Sequence, residues 1–143
     1  MNQPLERRRV QCSEILERLL AAPAHKFDDT LRSKLPLKHG IYAIAESDGE
    51  SQGEYLHAGQ SGTAKEGLKS RIWVQHYCGG DSRRGSSDLV QKVMDRQSLA
   101  RPDAKLWIRK NCIVRWLVPD MDINDWRWAE HYMLSILRPK WGR

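Results

Sequence analysis

The last third of the chain places a carboxylate where apolar side chains are expected. Ile123, Trp126, Met133, Leu134 and Leu137 step by three and four, the spacing of an apolar stripe on a helix over 122–137, and Glu130 falls on that stripe. An ionised carboxylate on a buried face costs several kcal/mol unless a cation meets it. Glu130 must therefore face a metal ion, an Arg or Lys, or a cleft; a structural salt bridge or a stripe edge open to water meets the same need. Two short segments earlier in the chain add groups that hold or move protons. In a strand over 39–45, Tyr42 and Ile44 share a face opposite Ile41, Ala43 and Ala45. In a strand over 54–59, Tyr55, His57 and Gly59 share a face opposite Leu56 and Ala58. If the two strands pair as a hairpin, Tyr42 and His57 sit side by side, although a Tyr or His on a sheet is more often structural. Arg71 stands next to Ile72, near the apolar side of a helix over 66–77, where snorkelling is the ordinary use of an Arg.

These residues need a scaffold, and the patterning supplies one. Residues 4–22 read as a helix ended by Pro23, with Leu5 and Val10 fitting its stripe less well than Ile15, Leu16, Leu19 and Leu20. A short turn over 28–35 stops at Pro36. The segment from Ser47 to Gly53 is a turn by composition, joining the two strands. A helix over 66–77 is followed by a loop rich in Gly, Ser and Arg, then by a helix over 87–98. Residues 106–118 read mostly as a strand, and Pro139 follows the last helix. The expected class is α+β, an α/β sandwich on a small mixed sheet flanked by helices, with one further helix at the N-terminus.

Composition bounds the partners. The 143 residues suit one compact domain, and 40% hydrophobic content can fill a core without disulfides. Lys and Arg number 24 against 18 Asp and Glu, a formal net charge of +6, which favours polyanions and above all nucleic acid over an acidic partner. Cys12, Cys78 and Cys112 are odd in number and widely spaced, which argues against a disulfide framework and a structural zinc site and for reduced thiols in a cytoplasmic protein. No apolar run approaches the ~20 residues that span a bilayer. The Arg-rich start lacks the apolar run of a secretory signal, so no membrane partner is expected. Of the six tryptophans, Trp107, Trp116 and Trp126 belong to the core, while Trp73, Trp128 and Trp141 either border a binding surface or are buried.

Four segments then fall in a telling order. Gly40-Ile41-Tyr42 is followed by His57-Ala58-Gly59-Gln60-Ser61, then by Gly67-Leu68-Lys69-Ser70-Arg71-Ile72 with His76-Tyr77 closing that helix. Glu130 and Leu134 follow, and the series ends on Pro139-Lys140-Trp141. The pattern resembles the GIY-YIG nuclease superfamily from Gly40 to the C-terminal segment. The resemblance implies a nuclease domain over 37–143 behind an N-terminal helical extension over 1–36, in one compact unit. It implies metal-dependent hydrolysis of DNA phosphodiesters, with Mg2+ or Mn2+ as cofactor. Tyr42 would be the general base or orient the water, Arg71 would clamp the scissile phosphate, and Glu130 would be the one protein ligand of the metal.

The chain departs from the family pattern at three places. His57 replaces the second tyrosine; an imidazole can relay a proton near neutral pH, with a changed pH profile. Gln75 stands where many members carry a His or Tyr, and His76 comes one residue later, turned by about 100° on an α-helix. Gly142 aligns with the family's Asn after the terminal Pro. DNA, duplex or branched, is the implied partner, and Gln60, Lys69, Arg83, Arg84, Arg7 and Arg8 are the candidate contacts to it. A double-strand break from one site needs two subunits or two sequential nicks, so a homodimer or a partner protein is compatible with the sequence. Two other readings remain open: a DNA-binding module on the same fold without catalysis, and a basic domain that binds RNA or protein.

Overall fold

Two antiparallel strands, β2 (Ile41–Glu46) and β3 (Tyr55–Gln60), hold the centre of the molecule. A computed structural model describes residues 3–47, 54–62, 64–79, 88–120 and 125–141. The turn expected over 47–53 lies outside these residues except for Ser47. Two more strands complete the sheet: β1 (His25–Lys26) and β4 (Cys112–Leu117), in the order β1-β4-β2-β3. Every ladder among the described residues is antiparallel, so the α+β class holds and the sheet they form is antiparallel where a mixed one was expected.

The helices lie on both faces. Helix α1 (Gln3–Ala21) and helix α5 (Trp126–Leu137) cover one; there Ile15, Leu16, Leu19, Ala129 and Met133 cluster with Ile41, Ala43 and Ala58. On the other face Tyr42, Ile44, Leu56 and Val114 cluster with side chains from four elements. These are the short α2 (Leu31–Lys34), a π-helix (Lys69–Tyr77), α3 (Leu89–Gln97) and α4 (Arg101–Asn111). The division follows the alternation of β2, whose odd and even residues enter different clusters. Leu5 and Val10, which fit the α1 stripe poorly, are exposed.

Helix α4 corrects the reading of 106–118 as mostly strand. Leu106-Trp107-Ile108 is a short apolar run that periodicity alone leaves ambiguous. Pro102 in the first helical turn, Asp103 beside it and Arg109 and Lys110 in the last turn are helix signals, and Ala104 and Ile108, four apart, are the buried face. The strand begins only at Cys112.

A bulge in the hairpin also departs from simple alternation. Ile44 pairs with His57 and Ala45 with Tyr55, which leaves Leu56 as the extra residue. Leu56 therefore enters the same cluster as Tyr42 and Ile44, while Tyr55 packs against the opposite one. The expectation that Leu56 and His57 lie on opposite faces is overturned by that single residue.

After α5 the chain crosses the edge strand. The backbone N–H of Lys140 donates to the Tyr55 carbonyl at 2.8 Å and that of Trp141 to the Leu56 carbonyl at 2.9 Å. Part of the free edge of β3 is thereby covered, and Trp141 is buried in the cluster with Leu56. Trp126 is buried too, Trp73, Trp107 and Trp116 are partly buried, and Trp128 is 62% exposed, so of its two expected placements burial is excluded. No helix among the described residues is long and apolar enough to cross a membrane.

Candidate active site

Tyr42 projects from β2 onto the face covered by the π-helix, and it is buried. Its hydroxyl lies 2.6 Å from Nε2 of His76. On an α-helix His76 would turn away from Arg71. The segment instead winds as a π-helix, with an i→i+5 pattern that the Cys78 N–H to Trp73 carbonyl bond of 3.0 Å shows directly. Each turn holds an extra residue, so residues five apart, Arg71 and His76, come round to the same side. Gly67 leads into this segment with φ +62°, and a side chain there would collide with the Lys38 carbonyl.

The protons on this pair can be assigned. The backbone N–H of Leu89 donates to His76 Nδ1 at 3.1 Å, so Nδ1 keeps a lone pair. A neutral imidazole then carries its proton on Nε2, which donates to the Tyr42 oxygen. The hydroxyl proton of Tyr42 is left for another acceptor. His57 lies beside both rings, stacked on Tyr42 at 6.1 Å between centroids and edge-on to His76 at 4.3 Å. In the ladder it is Gly59 that lies opposite Tyr42, with His57 on the diagonal.

Glu130 arrives from the other layer. It is 6% exposed, on the buried side of α5 with Trp126, Ala129 and Met133. A methyl group at Gly59 would lie 2.9 Å from the Tyr42 hydroxyl oxygen and 3.5 Å from Glu130 Oε2. The bare glycine on the edge strand is thus what lets a carboxylate from one layer and a phenol from the other share one space. The buried carboxylate expected from the helix period is present, whereas Ile123 of that stripe lies outside the described residues.

Burial governs the electrostatics. It raises the Tyr42 hydroxyl above the usual phenol range, with Arg71 opposing the rise and Glu130 and Asp88 adding to it. Burial, then the charges of Lys92 and Arg71, pulls His57 down to about 3. Burial holds His76 well below its ordinary value, helped by His57, Arg71 and Lys92. Both imidazoles are therefore neutral at physiological pH. Among the described residues, Nδ1 of His57, Nε of Arg71 and Nε1 of Trp126 are buried without a hydrogen-bond partner, and the first two belong to this cluster. Such atoms are uncommon in a finished core and common where a ligand is bound.

Tyr42, His57, Arg71, His76 and Glu130 are thus brought together from β2, β3, the π-helix and α5. Gln60 follows Gly59 on β3 and Lys69 opens the π-helix two residues before Arg71; both are half-buried. Arg7 and Arg8 are exposed on α1, which packs on the opposite face of the sheet, so they do not join it. Arg83, Arg84 and Gly142 lie outside the described residues. Sequence reasoning missed Asp88 and Lys92, which act on these rings from the start of α3. Their only signal was a four-residue spacing, which reads as an ordinary surface pair on a helix.

The donor set bears on a metal. Among the described residues no three His, Cys, Asp or Glu side chains converge to cage an ion. Glu130, a hard oxygen donor bordering the space left by Gly59, suits a divalent ion that keeps most of its waters, which is the habit of magnesium. No protein-family model, curated protein or solved structure matches the chain.

Proposed function

We propose that this chain is a metal-dependent DNA endonuclease that hydrolyses phosphodiester bonds at the Tyr42–Arg71–Glu130 cluster. One observation carries the reading: a buried carboxylate and a buried, imidazole-bound phenol meet over Gly59, beside an arginine whose Nε has no hydrogen-bond partner among the described residues. The resemblance of the same residues to the GIY-YIG pattern supports it independently of the geometry.

Each side chain has a task in such a reaction. Arg71 binds phosphate oxygens through its planar fork, which suits a phosphate better than an ammonium does. Tyr42 would orient the attacking water or, ionised to the phenolate, take its proton. The Nε2–H of His76 already points at the oxygen that carries the phenolate's charge, so stabilising that charge requires no reorganisation. His76 is held in that tautomer by the Leu89 N–H. His57, neutral above about pH 3, walls the cluster without adding charge. Glu130 would hold magnesium or manganese, which when bound supplies charge neutralisation at the phosphate.

The test is incubation of supercoiled plasmid, a mismatched duplex and a branched duplex with magnesium, with Glu130→Ala as control. Magnesium-dependent nicking that the variant lacks is the expected result. No cleavage of any of the three substrates would sink the reading.

A further inference from the structure

Lys92 ties α3 to the C-terminal segment beside the active site, next to Arg96, whose guanidinium lies over the Trp141 ring. Lys92 stands on α3 one turn after Leu89, the residue whose N–H holds His76. Its ammonium donates to the carbonyl of Trp141 at 2.5 Å, and the N–H of Trp141 donates to the carbonyl of Leu56, the neighbour of His57. The ammonium is therefore tied through two hydrogen bonds and the backbone of one residue, Trp141, to the strand segment that carries His57. From there its charge reaches both His57 and His76, as that of Arg71 does from the π-helix.

The position is poor for a merely structural lysine. Lys92 is half-buried, which disfavours its charge, and Arg96 one turn on repels it, while Asp88 one turn back favours it. Its contact at Trp141 is a neutral carbonyl, and an ammonium has three N–H donors. Two cations on two elements thus flank a pair of neutral rings, and the ammonium's contact is with a neutral carbonyl, a weaker acceptor than a charged oxygen. A phosphate is the ligand chemistry that such a pair fits, with the planar guanidinium as fork and the ammonium as point charge.

We propose that Lys92 is a second phosphate ligand of this site, binding a backbone phosphate of the DNA strand alongside Arg71. The proposal rests on the nucleic-acid part of the function proposed above and does not require cleavage. Substrate would draw the ammonium from the Trp141 carbonyl to a phosphate oxygen.

The experiment is a salt series of equilibrium binding to a short duplex with calcium in place of magnesium, for wild type, Lys92→Gln and Lys92→Arg. Glutamine keeps a donor for the Trp141 carbonyl and removes the charge; arginine keeps the charge. Loss of one phosphate contact lowers the slope of log K against log salt by about 0.9. The expected result is that drop in Lys92→Gln and an unchanged slope in Lys92→Arg. A wild-type slope in Lys92→Gln overturns the proposal, as does a lower melting temperature in both variants without a change of slope, the mark of a tail anchor alone. Plasmid cleavage with magnesium separates the two ideas. A wild type that cleaves while Lys92→Gln keeps its slope leaves the nuclease and removes Lys92. A wild type that binds with the expected slopes and never cleaves leaves Lys92 and removes the nuclease. A wild type that binds no duplex at any salt removes both.

Discussion

On one face of the sheet Ile41, Ala43 and Ala58 meet Leu19, Ala129 and Met133, and every one of these side chains is apolar and buried. On the other, Tyr42 and Ile44 meet a buried His76, and His57 lies beside them with one ring nitrogen lacking a partner among the described residues. The same strand β2 supplies both faces, so the contrast is not one of backbone or position. The first face buries hydrocarbon and little else, the default for an interior. The second buries polar groups whose desolvation hydrogen bonds repair only in part, an arrangement that lowers stability and persists where binding or chemistry requires it. Glu130 belongs to both, since its helix packs on the first face and its carboxylate borders the second.

The contrast breaks most sharply at Glu130. Glu130→Gln should lower cleavage by about a thousandfold, the scale seen when one group that stabilises transition-state charge is removed. Glutamine keeps the size and the hydrogen-bonding oxygen of the side chain, so the variant should still fold. Cleavage rates and a thermal melt check the pair of outcomes; a large loss of stability would move Glu130 to the packing side. Next comes Gly59→Ala. The added methyl would lie 2.9 Å from the Tyr42 oxygen, inside any real contact, so the phenol must shift. A fall of about a hundredfold in kcat, with little change in KM, is expected from misplacing a reacting group by an ångström or less.

The third effect is on stability and pH. His57 binds a proton near its ordinary 6.5 when unfolded and near 3 when folded, so between those values the unfolded chain holds more protons. Stability contributed by the neutral ring is fully present above about 6.5 and is lost as pH falls toward 3, at up to about 1.4 kcal/mol per pH unit. His76, also depressed, acts in the same direction. Denaturant midpoints measured from pH 7 to pH 4 should fall steeply in the wild type and less steeply in His57→Gln; parallel curves would show that His57 is not a buried neutral ring. The smallest effect belongs to the apolar face. Ile41→Val should cost about 0.5–1.5 kcal/mol by denaturation and leave the activity of the folded fraction unchanged. A change in activity there would mean that the faces are coupled.

The parts of this design that follow a simple period were legible in the sequence. Glu130 stood out because a helix repeats every 3.6 residues and a charge on its apolar stripe needs a reason. Tyr42 was separated from Ile41 and Ala43 by strand alternation. The parts that were not legible involve a residue added to a period. The extra residue in β3 puts Leu56 and His57 on one face, and the extra residue per turn of the π-helix returns His76 to the side of Arg71. Neither insertion has a local signature, because both are selected by what packs against them. Lys92 was hidden for another reason: its partner lies 49 residues away in the C-terminal segment. Helix α4 was lost to a short apolar run whose decisive signals, Pro102 and Asp103, lie upstream of it.

The π-helix makes chain spacing and spatial spacing separate quantities. Deleting one residue from it, such as Gln75, would let the segment rewind with ordinary turns and deliver the same imidazole to the same phenol from four positions after Arg71 instead of five. Two chains could thus differ by an insertion and still own identical sites. A comparison that scores aligned columns one by one would count one of them as having lost a residue it keeps. For such a segment the invariant to search for is the direction in which a side chain leaves the helix, and a gap inside a helix can be evidence of likeness.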